Sequence, residues 1–196
     1  LDKNRIPKTV FEVHTSIEST IRRYPIEHLQ KTTAIIIPSE WLKNTLLDIF
    51  PSLNHNTFLV APNVINKKTF SLTGETFDIP RTMLWVGKFI PLKNWLEAIE
   101  IGGAFLELNA DWHFTMVTGG MPKAEDVGYT LDFFNKTGKI NRFHWLHNLN
   151  QEDMGQIYRG VANNGGFLLS TSKAESFCLV IHEAMRCGVP VVSSKI

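Results

Sequence analysis

Cysteine is scarce in this sequence: there are two in 196 residues, Cys178 and Cys187. Nine positions apart on one expected helix, the two thiols are not placed to join. Disulfide stapling is therefore not expected, and reduced, cytosolic thiols are. A surplus of either charge is missing too, since 20 basic and 19 acidic residues leave a net charge of +1. That balance lacks the basic excess of a nucleic-acid binder. With 43% hydrophobic and 20% charged residues, it is a globular composition and not that of a disordered tail. No apolar run approaches the ~20 residues of a membrane-spanning helix, and the polar N-terminus lacks the apolar core of a signal peptide. Gly-x-Gly-x-x-Gly and the Walker lysine loop are both absent, which argues against dinucleotide and P-loop chemistry. The seven histidines are scattered. Neither His144 with His147 nor His182 with Glu183 has a third metal ligand at a workable spacing. The chain starts without methionine and stops inside a motif at Ser193-Ser-Lys-Ile196, so a fragment is expected.

What the sequence does hold is concentrated near its end. Gly166-Phe-Leu-Leu169 reads as a strand and Val189-Pro-Val-Val192 as another. Between them Leu179, Val180, Ala184 and Cys187 recur on one helical stripe. Gly188 stands where a helix stops, and Pro190 forbids its continuation. Glu175 falls in the turn before this helix and Glu183 on the helix, eight positions on. Hydroxyls and amides at a helix start suit an anionic or polyhydroxylated ligand. On spacing alone the structural reading is favoured over a ligand site: Glu175 suits the helix dipole and Glu183 is a solvated helix residue.

The wording of the stretch goes further. Glu175-Ser-Phe-Cys-Leu-Val-Ile-His-Glu183-Ala-Met-Arg-Cys-Gly188-Val-Pro-Val-Val192 resembles the Glu-x7-Glu signature of retaining glycosyltransferases of the GT-B fold, family 4 in particular. Two positions depart from the family pattern: Cys178 replaces a glycine and Arg186 a small residue.

Upstream, Thr9-Val-Phe-Glu-Val13 reads as a strand leading to His14, and Ala34-Ile-Ile-Ile37 as a second. Ser39 is a good helix N-cap before Trp41, Leu42, Leu46 and Ile49. Phe58-Leu-Val-Ala61 is a third strand, closed by Pro62-Asn63. This order resembles the last part of the N-terminal half of the same enzymes. Residues 71–80 lack apolar periodicity and read as a linker. Domains are therefore expected at 1–70 and 81–196.

From Thr82 the pattern alternates strand and helix. Strands are expected at 82–86, 112–117, 142–145 and 166–169. Helices are expected over 95–106, over 124–138 and after the cap Asn150. Such alternation predicts an α/β, Rossmann-like parallel sheet flanked by helices. Its strand ends gather the loops 87–94, 118–121, 146–150 and 170–176 on one edge, where ligands bind. Gly87-Lys88 and Lys93 could hold a diphosphate there, or be ordinary surface lysines. Thr118-Gly119-Gly120 is read as a plain turn.

The resemblance implies a fold of GT-B type: the end of the N-terminal half, then most of the C-terminal donor-binding half. It implies transfer of a sugar from a nucleotide diphosphate-sugar, UDP- or GDP-linked, to an acceptor hydroxyl with retention. No cofactor is implied, and the absence of Asp-x-Asp fits a transferase that uses cationic side chains in place of a metal. By the same resemblance, Glu183 binds the ribose, and Glu175 with the segment Ser176, Phe177, Cys178 and Leu179 holds the donor sugar. Gly87, Lys88 and Lys93 face the leaving diphosphate, Lys88 standing where the family has arginine. His14 faces the sugar across the cleft. His147 stands at a position near the base where the family has glycine. The implied partners are the donor and a carbohydrate or lipid-linked acceptor, with no nucleic acid. The implied place is the cytoplasm, with peripheral contact at the cytoplasmic face of a membrane left open. A noncatalytic GT-B partner and a related phosphorylase remain the alternatives.

Overall fold

The apolar runs and helical stripes fold into two parallel sheets, one in each of two compact units. The computed structural model describes residues 9–195. One unit runs to Val64 and takes in Ala174–Cys178; the other holds Ile65–Lys173 and the chain from Leu179 on.

In the first unit, β1 (Val10–Glu12), β2 (Ala34–Ile37) and β3 (Phe58–Val60) lie side by side in chain order. Val10 is in register with Ala34, and Ile35 with Phe58. The helices α1 (Glu18–Ile21), α2 (Ile26–Lys31) and α3 (Glu40–Ile49) make the crossovers. Leu42 and Leu46, four apart on α3, are buried with Val13, Ile35 and Ile37. The Ser39 hydroxyl accepts from the Leu42 N–H at 3.2 Å and so satisfies a donor the helix start leaves orphaned.

In the second unit, the strands β4 (Thr82–Gly87), β5 (His113–Thr118), β6 (Phe143–His147), β7 (Phe167–Ser170) and β8 (Val191–Ser193) form one parallel sheet in the order β6-β5-β4-β7-β8. The helices are α4 (Trp95–Leu108), α5 (Ala124–Lys136), α6 (Gln151–Asn163) and α7 (Leu179–Arg186). Alternation along the strands divides the core in two. Met83, Trp85, Phe114, Met116 and Phe143 pack with α4 and α5. Leu84, Val117 and Leu168 pack with α6 and α7. The chain winds outward from β4 to β6 and then returns to β7. The carboxyl ends of β4 and β7 thus flank the switch point where such sheets bind ligands.

Most element ends shift by a residue or two from the sequence reading, and two boundaries matter more. β6 runs on through Leu146 and His147, because its ladder with β5 continues to the pair Thr118 and His147. The division between units falls at Val64, ahead of the exposed stretch 71–80. The loop from Ile65 onward lies directly on α6, at two glycines: an added Cβ would come 2.6 Å from the Thr69 carbonyl at Gly155 and 2.5 Å from that of Phe77 at Gly160. That close approach draws 65–80 into the second unit.

Candidate functional site

The carboxyl edge of the second sheet is built by hydrogen bonds between loops far apart in sequence. The Trp85 indole N–H donates to the Thr171 hydroxyl at 3.0 Å. That hydroxyl in turn lies 3.0 and 3.1 Å from the carbonyls of Lys93 and Asn94. The Lys173 N–H donates to the Leu92 carbonyl at 2.9 Å. The loop that carries Lys88 and Lys93 is thereby fastened to the exit of β7. Asn94 ends it in the left-handed region at φ 51°, which asparagine tolerates better than most residues. Gly87 leaves β4 against the Trp85 ring, where an added Cβ would sit 2.8 Å from the indole.

The neighbouring loops are stitched in the same way. The Trp145 indole N–H donates to the Thr118 hydroxyl at 2.7 Å, and His147 Nδ1 lies 2.9 Å from that oxygen. The Asn148 N–H donates to the Thr118 carbonyl at 2.8 Å, and the Asn148 side chain accepts from the Gly120 N–H at 3.0 Å.

These loops enclose a cavity of about 550 Å³, within the range of small-molecule sites. Val86, Val117, Leu149, Met154 and Val180 give it an apolar wall. Gly87, Lys88, Lys93, Thr118, Gly119 and Asn148 give it a polar one. A flat apolar ring can lie on the first and an anion on the second.

Glu183 sits on α7 one turn after Val180, so the two share a helix face. Burial pushes its carboxyl pKa up, and a hydrogen bond from the Tyr158 hydroxyl opposes that shift. Tyr158 is fully buried on α6. The carboxylate is an acceptor for further hydroxyl groups.

Of the remaining predicted residues, all but Leu179 group with the first unit. Ser39 donates its hydroxyl to the Ser176 carbonyl, and Ser176 donates its own to the His14 carbonyl, both at 2.7 Å. Glu175, Phe177 and Cys178 lie in that same half-buried segment, Ala174–Cys178. Cys178 adopts φ 55°, the region that favours glycine. The His14 ring is exposed and its Nε2 lies 2.9 Å from a Glu12 carboxylate oxygen. Leu179 opens α7 and is part-exposed. The structure therefore gathers Gly87, Lys88 and Lys93 about one cavity and sets Glu183 on the helix beside it. His14 stands with the 174–178 segment. Sequence reasoning missed Asn148, Met154 and Val180 in the cavity wall, together with Tyr158 behind Glu183. It took Thr118 as part of a turn. Among the described residues, no three potential metal-ligating side chains come together, and no helix is long and apolar enough to cross a membrane.

Residues 74–196 match the model of the family described as glycosyl transferases group 1. A probable sucrose-phosphate synthase of Thermosipho melanesiensis is 23% identical over 186 residues, 94% of this chain and 43% of the relative. Among solved structures, Anabaena HepE in complex with UDP and glucose superposes with a TM-score of 0.76 at 19% identity, covering 96% of this chain and 53% of HepE. TarM of S. aureus, solved with UDP among its ligands, gives 0.71 at 15% identity, with 96% and 37% covered. The chain thus spans about half of HepE and less than half of the curated relative. The Rossmann-like fold predicted from the sequence is the one these structures share.

Proposed function

Because the chain belongs to the glycosyl transferases group 1 family, we propose that its second unit binds the nucleotide diphosphate-sugar of a retaining, metal-independent transferase. The observation that carries this is the cavity of about 550 Å³ at the sheet's carboxyl edge, apolar on one wall and faced by Lys88 and Lys93 on the other. The base lies on Val86, Val117 and Val180, and the ribose hydroxyls donate to Glu183. The two ammonium groups meet the diphosphate, and their attraction strengthens as charge develops on it during departure. Glu175 and the 176–179 backbone take the sugar, with His14 on the same reading. In the transfer itself the bond from C1 to the diphosphate oxygen breaks and a bond from C1 to the acceptor oxygen forms on the same face. The acceptor's proton passes to the departing phosphate. Cationic side chains thus take the part a divalent ion would otherwise play. A carbohydrate or lipid-linked acceptor completes the reaction.

The UDP held by HepE and TarM makes UDP the first nucleotide to try. Thermal melts of the chain with UDP, GDP or ADP, with and without EDTA, test the reading. One nucleotide is expected to stabilise saturably, to be insensitive to EDTA, and to lose its effect in Glu183→Gln while that variant alone melts within a few degrees of the parent. No stabilisation by any nucleotide would leave a noncatalytic module of the same fold.

A further inference from the structure

Helix α6 buries a guanidinium that the proposed transfer does not use. Arg159 is 7% exposed. Its Nε donates to the Glu75 carbonyl at 2.7 Å and its Nη1 to the Thr69 carbonyl at 2.9 Å. Two neutral oxygens thus take two of the five N–H groups. None of the ion pairs among the described residues includes it. Lys139, 8% exposed, is the contrast, since its ammonium meets Glu107 at 2.6 Å. A buried charge is tolerated when it is paired, and beside Arg159 lies space for a partner.

That space is a cavity of about 330 Å³. Arg159 and Lys68 bring two cations to it, Thr73 and Gln156 bring neutral hydrogen-bonding groups, and Glu75 and Glu152 bring carboxylates. Glu152, Gln156 and Arg159 recur at four- and three-residue steps along one stripe of α6. Met154, which walls the other cavity, projects from a different face of the helix. The two sites are therefore distinct.

We propose that this second cavity binds the phosphate group of a small phosphorylated, hydroxyl-bearing metabolite. Arg159 presents a planar pair of donors to the phosphate and Lys68 adds a point charge. The metabolite's hydroxyls bond to Glu75, Glu152 and Gln156. The proposal is independent of the transfer reading.

The test is a thermal-shift and calorimetric titration of the 196-residue chain with glycerol phosphate, inorganic phosphate and glycerol, at constant ionic strength set with chloride. Glycerol phosphate is expected to stabilise saturably and glycerol not at all. The effect should persist in the Lys88→Ala/Lys93→Ala double variant. It should weaken at least tenfold in Lys68→Ala, whose exposed side chain the fold does not need, and vanish in Arg159→Gln. Inorganic phosphate matching glycerol phosphate would support the anion site, with free phosphate as its ligand. Absence of saturable stabilisation overturns the proposal. So does an effect lost with Lys88 and Lys93 but untouched by Lys68→Ala, which would place the phosphate in the first cavity.

Discussion

Thr171 ties the loop of Lys93 to the sheet through one hydroxyl, and replacement by valine isolates that tie. Thr171 is 3% exposed and Trp85 2%. Valine keeps the shape and the β-branch, so packing is preserved while the Trp85 N–H loses its acceptor and the carbonyls of Lys93 and Asn94 lose their donor. A buried N–H left without a partner costs about 1–3 kcal/mol, and a lost hydrogen bond about 0.5–1.5 more. The expected destabilisation is therefore about 1.5–4.5 kcal/mol. At roughly 2–4 °C per kcal/mol for a chain of this size, Tm should fall by about 3–18 °C. Thr171→Ser restores the hydroxyl and gives up one methyl, about 1 kcal/mol, so it should recover most of the loss. Calorimetry gives the melts and a UDP titration gives the functional readout, since affinity should fall with valine and return with serine. A valine variant that melts within two degrees of the parent, or a serine variant that falls equally far, would refute the argument.

Two further outcomes follow from backbone and charge. Cys178→Gly relieves a left-handed conformation worth about 1–2 kcal/mol against about 0.4–1 kcal/mol of added chain entropy in the unfolded state. Thermal melts should therefore show a gain of up to about 1.6 kcal/mol, and a clear loss would mean that thiol packing outweighs strain. His113 and His144 stack with their rings 5.0 Å apart and share an N···N contact of 2.8 Å. Burial lowers both pKa values, helped by Arg142 at His113 and by His113 at His144. The unfolded chain therefore takes up protons first as pH falls. Their contribution to stability is full above the ordinary histidine pKa of about 6.5 and is lost as pH falls through the folded values. Urea midpoints at pH 7.5 and 5.5 should drop more in the parent than in His113→Asn/His144→Asn, and equal drops would remove the pair as the cause.

What the sequence made legible was what local chemistry decides. Ser39 and Asn150 cap their helices as expected, Asn150 accepting from the Asp153 N–H at 2.8 Å. Gly188 ends α7 at φ 83°, where a side chain is disfavoured. Gly87, Lys88 and Lys93 were expected on the sheet's carboxyl edge because all parallel strands end there, and they line the cavity at that edge. Cys178 drew notice as a departure from a glycine, and its positive φ explains why the family uses one. The rest depends on partners remote in sequence. Trp85 meets Thr171 across 86 positions, and no periodicity announces such a pair. Leu146 and His147 read as loop because a half-exposed leucine and an exposed histidine at a strand end carry no alternation. Arg159 carries no sign of its burial in the sequence, because the carbonyls that hold it lie 84 and 90 positions away.

The grouping of Ala174–Cys178 with the first unit has a consequence for modularity. The polypeptide passes between the units at three places, after Val64, after Lys173 and after Cys178. A single cut cannot separate them into self-contained pieces. Any recombination that replaced the first unit up to Val64 alone would leave Ala174–Cys178, four of whose residues open the signature, without the contacts they make there. Ser39, His14 and Ser176, joined by two hydrogen bonds of 2.7 Å, must therefore be transferred as a set, although they lie 137 and 162 positions apart in the chain.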